Sequence, residues 1–348
     1  MKIIKTPLDF AFIKKWTNAG LDPIALSILY RRNVFKEDDL LDFFSPVFEN
    51  IIQPFEFTDI EAAYKRFAQA LENKEKIIIF GDRDVDGTTS VSILYDFIKQ
   101  NNDNVFWEVP VGLDVYGLDK KKFESWKAKG YTLCITVDCG ITNVKEIEEL
   151  KRLGIDAIII DHHKPLEILP ECAGIVNPKC EKKFEFNDIA ACGVVFLFIY
   201  GYLIYKSAFF NKKIAVVFSN EGKIIVDIYK NFIFQGTAVL NDIEEVKRTD
   251  SDRVYFLTDK SDERGKLINN FHKKSFINIL KDKRLFTRLI LFNNLLKEID
   301  GLEKIKESYL PFVTLGLIAD VMPVIKTNRI LISIGLSYIR DKKNYNLT

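Results

Sequence analysis

"KIIIFGDRDVDGTTS", residues 76–90, runs from four consecutive apolar residues into three aspartates spaced two apart, Asp82, Asp84 and Asp86. An Ile/Phe run closed by glycine reads as a strand buried on both faces. Upstream, "DIEAAYKRFAQALENKEK" (59–76) sets Ile60, Ala63, Tyr64, Phe67, Ala70 and Leu71 on one helical face. A second helical pattern spans about Thr88 to Lys99. The stretch is therefore a helix, a strand and a helix, with the aspartates at the strand's carboxyl end. Carboxylates held this close repel one another unless a cation sits among them.

The unit recurs. "YTLCITVDCG" (131–140) reads as a strand ending at Asp138 and Gly140, and "NVKEIEELKRLG" (143–154) as a helix closed by Gly154. "IDAIII" (155–160) reads as a strand ending at Asp161, His162 and His163, and "AGIVNP" (173–178) as a short strand stopped by Pro178. Apolar strands alternating with helices predict an α/β fold, a parallel sheet with helices on both faces. Ligand sites in such sheets form at the carboxyl ends of the strands. One aspartate at a strand end reads equally well as a helix N-cap. Five aspartates converging on one edge with two of the chain's three histidines read as a site.

Composition narrows the options. A net charge of +1 over 348 residues creates no general basic field, so nucleic acid would have to be held by local patches. Five cysteines without a C-x-x-C pair fit neither a zinc ribbon nor a disulfide framework. There is no P-loop and no G-x-S-x-G elbow. "MKIIKTPLDFAFIKKW" offers no apolar run fit for a signal peptide, so a cytoplasmic protein is expected. "IAACGVVFLFIYGYLIY" (189–205) is uncharged over 17 residues, the edge of a spanning length; with two glycines and three tyrosines it reads as a buried helix, with no membrane partner.

Mixed carboxylate and imidazole donors suit Mn²⁺, with Mg²⁺ favoured by the carboxylates and Zn²⁺ by the imidazoles. The number of donors is enough for two cations with one carboxylate between them. Four segments then carry a resemblance. "GDRDVDGTTS" (81–90), "VDCGIT" (137–142), "DHHKP" (161–165) and "LGLIADVMPV" (315–324) resemble, in order and spacing, the four motifs of the DHH phosphoesterases. Within that family they look most like the RecJ branch of single-strand-specific 5′→3′ exonucleases. "FTDIEAAYKRFAQALENKEKIIIFGD", "IVNPKC", "IAACGVVFLF" and "TNRILISIGLSYIR" extend the resemblance, over about 18–205 and 303–340.

The resemblance implies seven metal-ligating and catalytic residues, Asp82, Asp84, Asp86, Asp138, His162, His163 and Asp320. It implies two Mn²⁺ or Mg²⁺ ions bridged by Asp138, with Asp161 orienting a histidine, and a two-metal hydrolysis needing no Ser or Cys nucleophile. Single-stranded DNA is the implied partner, with Arg83, Tyr116, Lys120, Lys121, Asn328 and Arg329 as contacts. Single-strand-binding protein or a helicase would be accessory partners in DNA repair and recombination. The sequence departs from the family pattern at Arg83, where a Tyr-like residue is usual, and in "VPVGLDVYGL" (109–118), which lacks the usual arginine; Arg83 or Lys120 to Lys122 are the substitutes at hand.

The expected organisation is an N-terminal helical region (1–50), the first part of a DHH catalytic domain (51–205), an α+β insertion (206–302) and the domain's last part (303–348). In the insertion, "KIAVVFSNEGKIIVDIY" reads as two strands about a tight turn, "DRVYFLTD" as a third, and "FINILKDKRLFTRLILFNNLLKEID" as a basic helix or helix pair. Its basic face (Lys281, Lys283, Arg284, Arg288) is either solvated or in contact with nucleic acid, and His272 stands alone. The family's second domain and oligonucleotide-binding barrel have no counterpart before residue 348, which leaves a C-terminally truncated form, a split gene product and a degenerate relative open as readings. Two other readings compete: a DHH phosphodiesterase of short oligonucleotides or cyclic dinucleotides, and a non-catalytic RecJ-like scaffold. The former usually opens with His-x-x-x-Asp-x-Asp, which this chain lacks; the latter tends to lose ligands that this chain keeps.

Overall fold

The computed structural model describes residues 7–44, 46–112, 117–220, 223–242, 245–246, 249–256 and 295–341. The chain forms two compact units, one of Ile51–Asn211 with Lys297–Thr348 and one of Met1–Asn50 with Lys212–Leu296.

The first unit is built on a five-stranded parallel sheet. Its strands are β1 (Lys76–Gly81), β2 (Val105–Glu108), β3 (Tyr131–Val137), β4 (Asp156–Ile160) and β5 (Gly174–Val176), in the order β2-β1-β3-β4-β5. Ile79 pairs with Trp107 and Ile135, and Ile135 with Ile158, so a row of apolar side chains crosses the sheet. Successive residues face opposite sides. Ile78, Phe80, Cys134, Ala157 and Ile159 share a core with Phe123 and Trp126 of α6 (Phe123–Ala128) and Ile147 and Leu150 of α7 (Val144–Arg152). Their neighbours Ile77, Ile79, Leu133, Ile135, Ile158 and Ile160 are buried on the other side. There α5 (Val85–Lys99) lies against β1 and β2, and α8 (Ala191–Lys206) against β3 and β4. The helix α4 (Ile60–Glu72) packs on β5, and α9 (Leu302–Ala319) on α5, α8 and α10 (Lys326–Arg340). Helices cover both faces, as the sequence predicts.

The apolar stretch at 189–205 becomes α8, whose residues from Ala191 to Tyr202 are all buried. An aromatic knot of Tyr64, Phe67, Phe97, Phe198 and Tyr202 ties α4, α5 and α8 together, with ring centroids 4.8–6.5 Å apart. Among the described residues, no helix is long and apolar enough to cross a membrane.

In the second unit, α1 (Phe10–Asn18), α2 (Pro23–Arg31) and α3 (Glu37–Phe44) supply the helical N-terminal region. Asp9 caps α1 and Asp22 caps α2, with Pro23 at the first helical position. A four-stranded sheet has the order β8-β7-β6-β9, from β6 (Lys213–Asn220), β7 (Lys223–Lys230), β8 (Ile233–Leu240) and β9 (Arg253–Phe256). The first two form the expected antiparallel hairpin, and β9 runs parallel to β6. The strand β8 is an addition to the three expected. Its interior Gly236 and its mostly half-buried or exposed residues gave no apolar run to read. His272, Lys281, Lys283, Arg284 and Arg288 lie outside the described residues.

Candidate metal centre

The first carboxylates are delivered by a turn between β1 and α5. The helix begins at Val85, three residues before the sequence-based start, because Asp84 caps it; Asp84 Oδ1 accepts from the Gly87 N–H at 2.9 Å. The N-cap reading thus holds for this aspartate. A β-carbon on Gly87 would sit 2.4 Å from the Asp82 carbonyl oxygen, so the doubling back of this turn requires glycine. Asp82, half-buried, accepts from the Arg83 N–H at 2.7 Å.

Asp86, in the first turn of the helix, points inward and is 2% exposed. Its Oδ2 accepts from the Ala191 N–H at 2.7 Å and its Oδ1 from the Cys192 N–H at 2.9 Å. These are the first two residues of α8, whose N-cap position, Ala190, has no side-chain acceptor. Asp86 therefore caps a helix far away in sequence. Burial raises its pKa more than those bonds lower it.

Asp138 follows β3 in the left-handed region, at φ +58, which aspartate tolerates better than most side chains. Its N–H donates to Ile160 O at 3.1 Å, which binds the carboxyl ends of β3 and β4 together. Burial, with the charges of Asp86 and Asp84, pushes the Asp138 carboxyl up to about 9. Asp161 is fully buried: Oδ1 accepts from the N–H groups of His162 (2.7 Å) and His163 (3.1 Å), and Oδ2 from that of Ile141 (3.0 Å). Oδ1 also lies 2.8 Å from His163 Nδ1. Burial works to raise the Asp161 pKa, but the His163 contact and the backbone donors outweigh it and hold it below the ordinary value. The same contact raises the pKa of His163. Asp161 thus fixes the histidine turn.

His162 gathers the rest. Its Nε2 lies 3.2 Å from Asp138 Oδ1, 3.7 Å from Asp320 Oδ2 and 3.8 Å from Asp86 Oδ2. Asp320 arrives as the C-cap residue of α9. Among the described residues, three groups have donor atoms within 4.8 Å of one another: Asp86, His162 and Asp320; Asp82, Asp84 and Asp138; Asp138, His162 and His163. All seven residues predicted as ligands fall in these groups. Asp320 Oδ2 is buried with no hydrogen-bond partner among the described residues. A buried carboxylate oxygen of this kind, in an oxygen-rich set with imidazole, fits a divalent cation of the Mn²⁺ or Mg²⁺ type.

The predicted nucleic-acid contacts divide. Arg83 is exposed and donates through Nη1 to Gly112 O at 2.9 Å. Lys120 and Lys121 are exposed on the short turn that precedes α6. Arg329 is half-buried. Tyr116 lies outside the described residues. Asn328 is corrected: it is 0% exposed, and its amide donates to Asp188 O (2.7 Å) and Pro323 O (3.0 Å). It fastens the loop after Asp320 to the loop before α8. Sequence reasoning missed Asn177, fully buried after β5, whose amide donates to His163 O at 2.9 Å. Its place at the same sheet edge, in "IVNP", was the available signal.

Residues 76–219 match the DHH family, N-terminal domain. This segment is similar to that domain in sequence. The chain around it is 35% identical over 180 residues to the single-stranded-DNA-specific exonuclease RecJ of Bacillus subtilis (strain 168), spanning 51% of this chain and 23% of that protein. RecJ of Escherichia coli (strain K12) is 32% identical over 144 residues, 40% of this chain and 25% of the relative. The chain thus spans about a quarter of the length of the curated relatives it matches. The crystal structure of Thermus thermophilus RecJ in complex with Mn²⁺ superposes with a TM-score of 0.55 at 19% identity, over 97% of this chain and 34% of that one. The likeness is one of fold.

Proposed function

We propose that this chain hydrolyses phosphodiester bonds in single-stranded DNA, from the 5′ end, with two Mn²⁺ or Mg²⁺ ions. The observation that carries the reading is the convergence of seven carboxylate and imidazole ligands from β1–α5, β3, β4 and α9 on one sheet edge, with Asp138 and His162 each shared by two donor groups. The names of the matched relatives support the substrate class. Asp82, Asp84 and Asp138 would hold one ion, and Asp86, Asp138, His162 and Asp320 the other, with His163 adding a donor through the group it forms with Asp138 and His162. Bound ions would shield the phosphate from these carboxylates, lower the pKa of an attacking water and neutralise charge on the leaving oxygen.

The chain's own residues supply the rest. Asp161 holds the proton on His163 Nδ1 and turns the ring toward Asp138, whose Oδ1 lies 3.9 Å from that nitrogen. Asn177 holds the His163 carbonyl, and the α8 N-terminus holds Asp86. Arg83, Lys120 and Lys121 are the exposed cations that would meet backbone phosphates. DNA repair and recombination in the cytoplasm, beside single-strand-binding protein or a helicase, is the setting that fits this activity.

A 5′-tailed oligonucleotide labelled along its length tests the reading. Mn²⁺-dependent release of 5′-mononucleotides from the tail, sparing the duplex and abolished in Asp138→Ala, is expected. Cleavage confined to dinucleotides, or no Mn²⁺ uptake by intact protein, would overturn it.

A further inference from the structure

Gly316 stands in α9 one turn before Asp320, where α5, α8 and α9 meet. A β-carbon there would lie 2.4 Å from Cys192 Sγ, 2.8 Å from Thr89 Oγ1 and 3.1 Å from Asp86 Oδ1. None of these atoms can easily give way. Cys192 and Thr89 are buried; Cys192 Sγ donates to Val313 O at 3.5 Å and Thr89 Oγ1 to Val85 O at 2.7 Å. Asp86 is fixed through both oxygens by backbone donors. The same turn of α9 delivers the metal ligand, since the Asp320 N–H donates to Gly316 O at 2.9 Å. Asp320 Oδ2 then stands 3.7 Å from His162 Nε2.

We propose that Gly316 is a positioning residue of the metal centre, its bare α-carbon setting how closely α9 approaches Asp86 and so whether Asp320 reaches His162. The inference rests on the reading above, that this cluster holds two cations. An added β-carbon would have to retreat by about 1 Å to reach an ordinary carbon contact distance. A site loosened by that distance loses its geometry while the fold persists. Helix propensity acts in the other direction, because alanine is the better helix former. A loss of metal affinity in Gly316→Ala therefore cannot come from a weakened helix.

The test is calorimetric titration of the full chain with Mn²⁺, read for stoichiometry and affinity, in wild type, Gly316→Ala, Cys192→Ala and the double variant. Gly316→Ala should keep the Asp82, Asp84 and Asp138 site and lose at least tenfold affinity at the Asp86, His162 and Asp320 site. Removing Sγ opens the tightest contact, so Gly316→Ala should cost markedly less affinity in the Cys192→Ala background, as a double-mutant cycle measures. Two ions bound with wild-type affinity by Gly316→Ala would overturn the proposal, as would an equal loss in both backgrounds. If Gly316→Ala does not fold, the double variant decides: folding with both ions bound supports the proposal, while misfolding, or folding with the second ion absent, overturns it. Absence of Mn²⁺ uptake by wild type is a different result, which removes the parent reading and this one with it.

Discussion

Asp86 and Cys192, 106 residues apart in sequence, are joined by a backbone N–H bond of 2.9 Å to Oδ1. The neighbouring Ala191 N–H takes the other oxygen at 2.7 Å. One carboxylate thereby serves both as a member of the candidate metal centre and as the cap of a buried helix. Asp86→Ala would leave two buried N–H groups without acceptors, at about 1–3 kcal/mol each. Denaturant unfolding in chelator should show a loss of roughly 2 kcal/mol or more for Asp86→Ala. Asp82→Ala, at a half-buried position with one local bond, should unfold nearly as wild type does although it too loses an ion.

Asp138 gives a prediction with opposite signs for stability and binding. Its carboxyl is pushed up to about 9 in the folded, metal-free protein, against an ordinary value near 4. Between those values the folded state holds a proton that the unfolded state has released, so stability falls as pH rises. Metal-free protein should therefore melt at lower temperature at pH 9 than at pH 6. Asp138→Asn, which tolerates φ +58, should flatten that slope, stabilise the metal-free protein and reduce Mn²⁺ uptake. Mn²⁺ binding by wild type should also release protons near neutral pH, seen as a buffer-dependent heat.

Divalent cations that bind only the folded form raise its stability by mass action, about 2.7 kcal/mol for one site at a hundredfold excess over Kd. Thermal scans with increasing Mn²⁺ should rise continuously for wild type. The rise should be smaller for Asp84→Ala, and smaller still for Asp138→Ala, which stands in two of the donor groups.

His163 owes its raised pKa first to the Asp161 hydrogen bond. An NMR titration of metal-free protein should find the His163 pKa lowered toward its ordinary value in Asp161→Asn. An unchanged titration would show that the 2.8 Å contact does not hold the imidazolium.

Asn328 and the exposed lysines should separate stability from binding. Replacing Lys120 and Lys121 by Ala should flatten the salt dependence of single-strand binding, by about 0.7 in log–log slope for every phosphate no longer neutralised. Asn328→Ala should leave that slope alone and lower the melting temperature, because it breaks the bonds to Asp188 O and Pro323 O.

Strands β1, β3, β4 and β5 were legible because parallel strands covered on both faces read as unbroken apolar runs. The strand β2 was not: it has four residues, lies at the sheet edge, and leaves Phe106 45% and Trp107 53% exposed. The helix α6, at six residues, is too short to display a period. The start of α5 was misplaced because Asp84 reads as a site residue and its capping role competes with that reading. At the metal edge the side-chain identities were legible and their neighbours were not. Backbone donors such as those of Ala191 and Cys192 carry no sequence signature, and a buried asparagine such as Asn328 looks in sequence like an exposed one.

Asp320 comes from the end of α9, which begins at Leu302, whereas every other member of the three donor groups precedes the end of α8 at Lys206. A chain emerging from the ribosome would hold Asp82, Asp84 and Asp138 long before Asp320 is synthesised. The groups Asp82, Asp84, Asp138 and Asp138, His162, His163 can therefore assemble first, while the group that needs Asp320 is completed only when α9 docks, a late and non-local event. Rapid-mixing refolding with Mn²⁺ would resolve this as two uptake phases, making the metal centre a clock for the last step of its own folding.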